Sequence, residues 1–117
     1  MKKSSNAVTF FKRSDGALTG YRAEGHAGYA EAGSDIVCAA VSALTQSTLN
    51  GLQNVLEVPV MFDIEDQEAL LEARLTPEAT EAQVQQAQIL LRTLLEGLRA
   101  IERSYPQNVR IVFEERR

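Results

Sequence analysis

One cysteine, one histidine and no tryptophan leave this chain short of the side chains that most often mark a functional site. A single cysteine cannot close a disulfide within the chain, which fits a reducing compartment. One His and one Cys cannot supply the four ligands of a structural zinc site, so no metal is expected. No cofactor is expected either. Gly28 and Gly33 lack the Lys-Ser/Thr of a phosphate loop and the spacing of a dinucleotide fingerprint. No apolar run approaches the length of a membrane span. Met1-Lys2-Lys3 opens as a secretory leader might, but Ser4, Ser5 and Asn6 follow, and the next apolar run is far too short for a leader core. The expectation is a cytoplasmic protein with no membrane partner. Positive charge is not in excess either. Twelve Lys and Arg against 16 Asp and Glu give a net charge of −4, which argues against direct nucleic-acid binding and favours a basic protein as partner.

What is present suffices for one core. The chain has 117 residues, 44% of them hydrophobic and 24% charged, so residues 1–117 are read as a single domain. Residues 7–12 are β-rich, Ser14-Asp15-Gly16 is turn chemistry, and residues 18–25 form the partner strand of a hairpin. On that strand Tyr21, Ala23 and Gly25 share one face. Leu18, Gly20, Arg22, Glu24 and His26 share the other. Ser34 or Asp35 caps a helix that runs to about residue 55, with a core stripe of Val37, Val41, Leu44, Thr48, Leu52 and Val55. Residues 58–65 alternate as a half-buried strand, Asp66-Gln67 is a turn, and residues 68–75 return with Leu71, Ala73 and Leu75 on one face.

Thr76-Pro77-Glu78 has the residues of a helix start. That helix is expected to end near Ser104, before Pro106, with its stripe from Val84 to Tyr105 either on the sheet or in a helix–helix dimer seam. Val109, Ile111 and Phe113 mark a last strand. The order β-β-α-β-β-α-β predicts an α+β two-layer sandwich, with two helices packed on one face of a small mixed sheet.

The chemistry concentrates in residues 25–44. His26 and Cys38 stand twelve residues apart, separated by a loop bracketed by Gly28 and Gly33 that either moves as a flap or merely turns. At about 100° per helical residue, Cys38 lies roughly 90° from the centre of the core stripe, at the margin of the core. Its neighbours there, Asp35, Ser42 and Thr45, form a polar line with no evident packing purpose. A lone cysteine is usually a small core residue. With Asp35 as N-cap, however, Cys38 takes the third helical position, where free N–H groups and the helix dipole favour a thiolate.

His26 is the one imidazole that could serve such a thiol as base. Asp35 either caps the helix or orients His26, and Ser42 either bonds back to a helix carbonyl or faces substrate. The N–H groups at the helix start are the expected oxyanion donors.

Gly25-His26-Ala27, Gly33 and the run Asp35-Ile36-Val37-Cys38-Ala39-Ala40-Val41-Ser42 resemble the signature of the ribosomal-processing cysteine protease Prp family. The resemblance implies a small, homodimeric bacterial thiol protease. Its substrate would be the precursor of large-subunit ribosomal protein number twenty-seven, from which a short N-terminal extension is cut just after an aromatic pair. It further implies Cys38 as nucleophile, His26 as base, Asp35 and Ser42 in support, and the loop from Gly28 to Gly33 as the mobile segment over the site. Two readings of other classes compete: a non-enzymatic ribosome-associated peptide-binding module, and a thiol redox sensor that borrows a partner's thiol.

Overall fold

The structure is a computed structural model that describes residues 6–25, 32–65 and 69–116, with side chains except those of residues 32–35. Strands β1 (Asn6–Lys12) and β2 (Leu18–Gly25) form a hairpin. Helix α1 (Ala32–Asn50) runs into one π-helical turn (Gly51–Val55). Strands β3 (Val60–Glu65) and β4 (Leu70–Leu75) precede helix α2 (Glu81–Ser104) and strand β5 (Val109–Glu115). The expected order of elements is therefore the observed one. The sheet runs β3-β4-β2-β1-β5, antiparallel throughout except for the parallel pair β1 and β5. That parallel pair makes the sheet mixed and requires a helix-bearing crossover, which α2 supplies.

The hairpin closes where turn chemistry predicts. Arg13 N–H donates to the Ala17 carbonyl at 2.9 Å and Gly16 N–H to the Arg13 carbonyl at 2.9 Å, with Gly16 at φ +92°. Val8 pairs with Ala23 and Phe10 with Tyr21, and all four point into the core under the helices. Leu18, assigned to the opposite face from its alternation with Gly20, is buried in the same core. The register slips between Phe11 and Lys12, so strict alternation fails at the start of β2. Phe11 is fully buried on the far face, beneath the guanidinium of Arg116, 3.7 Å from its ring centroid.

Along α1 and its π turn, Val37, Val41, Thr48 and Leu52 are buried as the stripe requires, but Val55 is 77% exposed. The π turn inserts an extra residue per turn and rotates Val55 out of register. On α2, Val84, Ala87, Leu91, Leu94 and Leu98 are all buried against this chain's own sheet and α1. The stripe from Val84 to Leu98 therefore packs within the chain, which leaves only the partly buried Ile101 and the exposed Tyr105 for a dimer seam.

Both helix starts differ from expectation. Pro77 occupies a turn in which Ala79 N–H donates to the Thr76 carbonyl at 3.0 Å. The cap is Thr80, whose hydroxyl accepts Gln83 N–H at 3.1 Å, while Gln83 Oε1 accepts Thr80 N–H at 2.9 Å. Thr76 has no Glu or Gln three residues on, so only Thr80 can complete this capping box. Helix α1 begins at Ala32, so neither Ser34 nor Asp35 is its N-cap. The dipole favours an acid anywhere in the first turn, so residue type alone did not fix the position. Gly33 accordingly belongs to α1 rather than to a loop.

Strand β3 begins at Val60, not residue 58, and its expected inward face is covered only in part: Val58 and Val60 pack on the core, but Phe62 and Ile64 are exposed. Two helices, each about 10 Å across, cover roughly four strands spaced about 4.8 Å apart. β3 is an edge strand and falls outside that cover. The turn expected at Asp66-Gln67 lies outside the described residues.

Candidate active site

Cys38 is half-buried on the inner side of α1, one turn before Ser42, and both line a cleft of about 270 Å³. The cleft opens between α1 and the ends of four strands, with Asn6 of β1 among its lining residues. Glu24 and Gly25 close β2 on one wall, while Ile64, Glu65 and Leu71 come from β3 and β4. The helix margin singled out in the sequence thus meets the end of β2, on the side of Ala23 and Gly25. Cys38 is a cleft residue, not a core one, because it sits at the margin of a stripe whose centre, Val37 and Val41, is buried.

Gly25 is the last residue of β2, so the chain leaves the sheet from the wall of this cleft. His26 and Gly28 lie outside the described residues, as does the side chain of Asp35. Ser42 is exposed on the cleft rim.

The polar line along α1 has a different content from the one expected. Thr45 is 1% exposed. Its hydroxyl donates to the Val41 carbonyl at 2.9 Å, and its own carbonyl accepts the Tyr21 hydroxyl at 2.6 Å. Burial pushes the Tyr21 phenol well above its ordinary value, so it stays a neutral donor. Thr45 therefore fastens α1 to β2, and the polar line does have a packing purpose at this point.

The earlier start of α1 also changes the amides. Only the first four N–H groups of a helix lack helical partners. In α1 the described ones are those of residues 32–34, a turn ahead of Cys38, and the Cys38 N–H lies inside the helical ladder. Free amides at Cys38 itself, expected as oxyanion donors, are therefore not provided by the helix.

A contact missed in the sequence takes the vacant place. Asn6 opens β1 between Gly25 of β2 and Val109 of β5, is 5% exposed, and directs Nδ2 at Cys38 Sγ, 3.4 Å away. The two residues are 32 positions apart, so no local pattern could have joined them. Among the described residues no group of three or more His, Cys, Asp or Glu is arranged to hold a metal ion.

Comparisons with known proteins point to one family. The family model described as cysteine protease Prp matches residues 7–110. This chain belongs to the cysteine protease Prp family. It is 29% identical over 105 residues to the ribosomal processing cysteine protease Prp of Bacillus subtilis, covering 89% of this chain and 93% of that one. It is 28% identical over 100 residues to the protein of the same name from Staphylococcus aureus, covering 86% and 91%. The crystal structure of an essential ribosomal processing protease Prp from S. aureus, in complex with a substrate peptide, superposes with a TM-score of 0.81 at 27% identity, over 93% of this chain and 99% of that one. A Streptococcus mutans protein of known structure superposes with a TM-score of 0.80 at 26% identity, over 96% and 99%.

As a Prp family member the chain is a cysteine protease, a hydrolase of peptide bonds. The non-enzymatic and redox-sensor readings give way to that activity. The α+β sandwich, with its β-β-α-β-β-α-β order, is the fold of the Prp structures.

Proposed function

We propose that this protease removes a short N-terminal extension from a large-subunit ribosomal protein precursor, cutting after an aromatic pair, with Cys38 as nucleophile and His26 as base. The observation that carries the reading is the position of Cys38. The chain's only thiol stands in the wall of a cleft that begins where β2 ends, one residue before its only histidine. The S. aureus Prp has been crystallised with a substrate peptide and with a covalently linked product peptide, which supports a peptide substrate and a covalent route here.

In this mechanism the Cys38 thiol loses its proton to His26 and the sulfur attacks the scissile carbonyl carbon. The carbonyl π pair moves onto oxygen. As it returns, the C–N bond breaks and His26 hands its proton to the departing amine. Water then attacks the thioester, releasing the acid and restoring the thiol. Asp35 orients His26, Ser42 contacts the bound peptide from the rim, and the loop beginning at Gly28 covers it. Glu24 and Glu65 make the cleft acidic, which suits the basic chain of a ribosomal protein.

The enzyme works as a cytoplasmic homodimer on this reading, without cofactor or direct nucleic-acid contact. The exposed Met61 and Phe62 of the edge strand β3 give a second copy apolar surface to cover, and a monomer in sedimentation would remove that part. The catalytic assignment is tested with Cys38→Ala and His26→Ala. Both variants are expected to melt cooperatively like the parent while losing cleavage of the precursor. A folded Cys38→Ala variant that still cleaves refutes it.

A further inference from the structure

Acyl transfer to a sulfur needs hydrogen-bond donors where the carbonyl oxygen becomes negative. The described residues lining the cleft include no Lys or Arg, and they include two carboxylates, Glu24 and Glu65. Neutral N–H groups must therefore do this work. The helix does not offer them at Cys38, since its free amides precede residue 35. Two side-chain amides line the cleft, those of Gln46 and Asn6. Gln46 is exposed on α1, whereas Asn6 is buried and held.

The hold on Asn6 is specific. Its backbone N–H donates to the Asn108 carbonyl at 2.8 Å, and Nδ2 donates to the same carbonyl at 3.3 Å. An amide turned the other way would set Oδ1 against that carbonyl, acceptor against acceptor, so Asn108 fixes which end faces the cleft. Nδ2 carries two hydrogens. One serves Asn108, and the other is left for Cys38 Sγ at 3.4 Å. On its other side Asn6 Oδ1 crosses Gly25 so closely that a β-carbon there would stand 2.9 Å from it. The strand end preceding His26 thus also pins the amide.

From this arrangement we infer that Asn6 is a catalytic residue, the side-chain oxyanion donor of the Prp reaction in this chain. This rests on Cys38 being the nucleophile. In the resting enzyme the second Nδ2 hydrogen points at the sulfur. When the sulfur bonds to the carbonyl carbon, the oxygen taking up the π pair is attached to that same carbon, next to the sulfur. The N–H passes from sulfur to oxygen with a small shift of the substrate and none of the strand. As the pair returns and the amine leaves, the N–H goes back to the sulfur.

The test uses Asn6→Ala and Asn6→Val, neither of which can donate and both of which keep the backbone bond to Asn108. Three quantities are measured beside Cys38→Ala: kcat and KM for a fluorogenic peptide copied from the precursor's cut site, the melting curve, and the rate at which iodoacetamide alkylates Cys38. Alkylation uses the same sulfur but builds no oxyanion. Loss of one oxyanion donor is expected to lower kcat by about 10²-fold. KM and the alkylation rate are expected to stay within about twofold, the pattern of an interaction made in the transition state. A kcat within about threefold of the parent overturns the role. So does an alkylation rate that falls as far as kcat, because Asn6 would then only place the thiol. Cleavage by Cys38→Ala overturns the nucleophile itself. A dead Cys38→Ala beside a fully active Asn6→Ala overturns Asn6 alone.

Discussion

Gln88 of α2 holds Leu18 of β2 by both backbone polar groups. Its Nε2 donates to the Leu18 carbonyl at 2.8 Å, and its Oε1 accepts the Leu18 N–H at 2.8 Å. Nε2 also donates to the Val84 carbonyl one turn back at 2.9 Å. The side chain is 8% exposed and completes β2 beside the register slip, where Leu18 pairs with Lys12 but lies beyond the reach of β4, whose pairing begins at Gly20. A buried amide that bonds a strand backbone in this way acts as an extra residue of the sheet.

Gln88→Leu therefore leaves a buried N–H and a buried C=O of Leu18 unpaired. The expected cost is about 2–4 kcal/mol, at roughly 1–2 kcal/mol for each orphaned group. Chemical denaturation should show this as a lower midpoint with an unchanged slope. A midpoint equal to the parent's would mean that water or the strand replaces the amide.

Tyr21→Phe removes the donor to the Thr45 carbonyl that ties α1 to β2 beneath Cys38. The expected loss is about 1 kcal/mol, the net value of one buried hydrogen bond. A thermal melt checks the stability. The cleavage rate should fall by less than tenfold, because the phenol anchors the helix without touching substrate.

Arg13 joins the hairpin turn to the start of α2, with its guanidinium on Asp15 at 2.8 Å and Glu81 at 3.0 Å. Hydrogen bonding to Arg13 holds both carboxyls below their ordinary values of 3.8 and 4.5. Groups depressed in the folded state add stability above their unfolded values and lose it as pH falls through the folded ones. The melting difference between the parent and Arg13→Ala is thus expected to be small and salt-sensitive at neutral pH, since the pairs are exposed, and to close below those values. A difference that widens on acidification contradicts this.

The order of elements was legible because period 2 and period 3.6 are strong signals in Val8–Phe10, Leu71–Leu75 and Val84–Leu98. What failed were features decided by neighbours distant in sequence. Val55 left the stripe because a π turn adds a residue, which no stripe announces. The exposure of Phe62 and Ile64 follows from the width of two helices, not from the strand's own alternation. Thr80-Glu81-Ala82-Gln83 carries the capping-box pattern, but the proline at 77 draws the expected start four residues too early. At the site, the margin position of Cys38 followed from the helical wheel. The placing of Asn6 beside Cys38 did not, since residues 32 apart meet only through the sheet.

The central claim is that Cys38 cuts a ribosomal-protein precursor. The direct measurement incubates the purified protein with the extended precursor and weighs the products by mass spectrometry, with Cys38→Ala alongside. The account predicts a single cut after an aromatic pair, absent with the variant. A precursor left intact by the parent, or cut as well by Cys38→Ala, would contradict it.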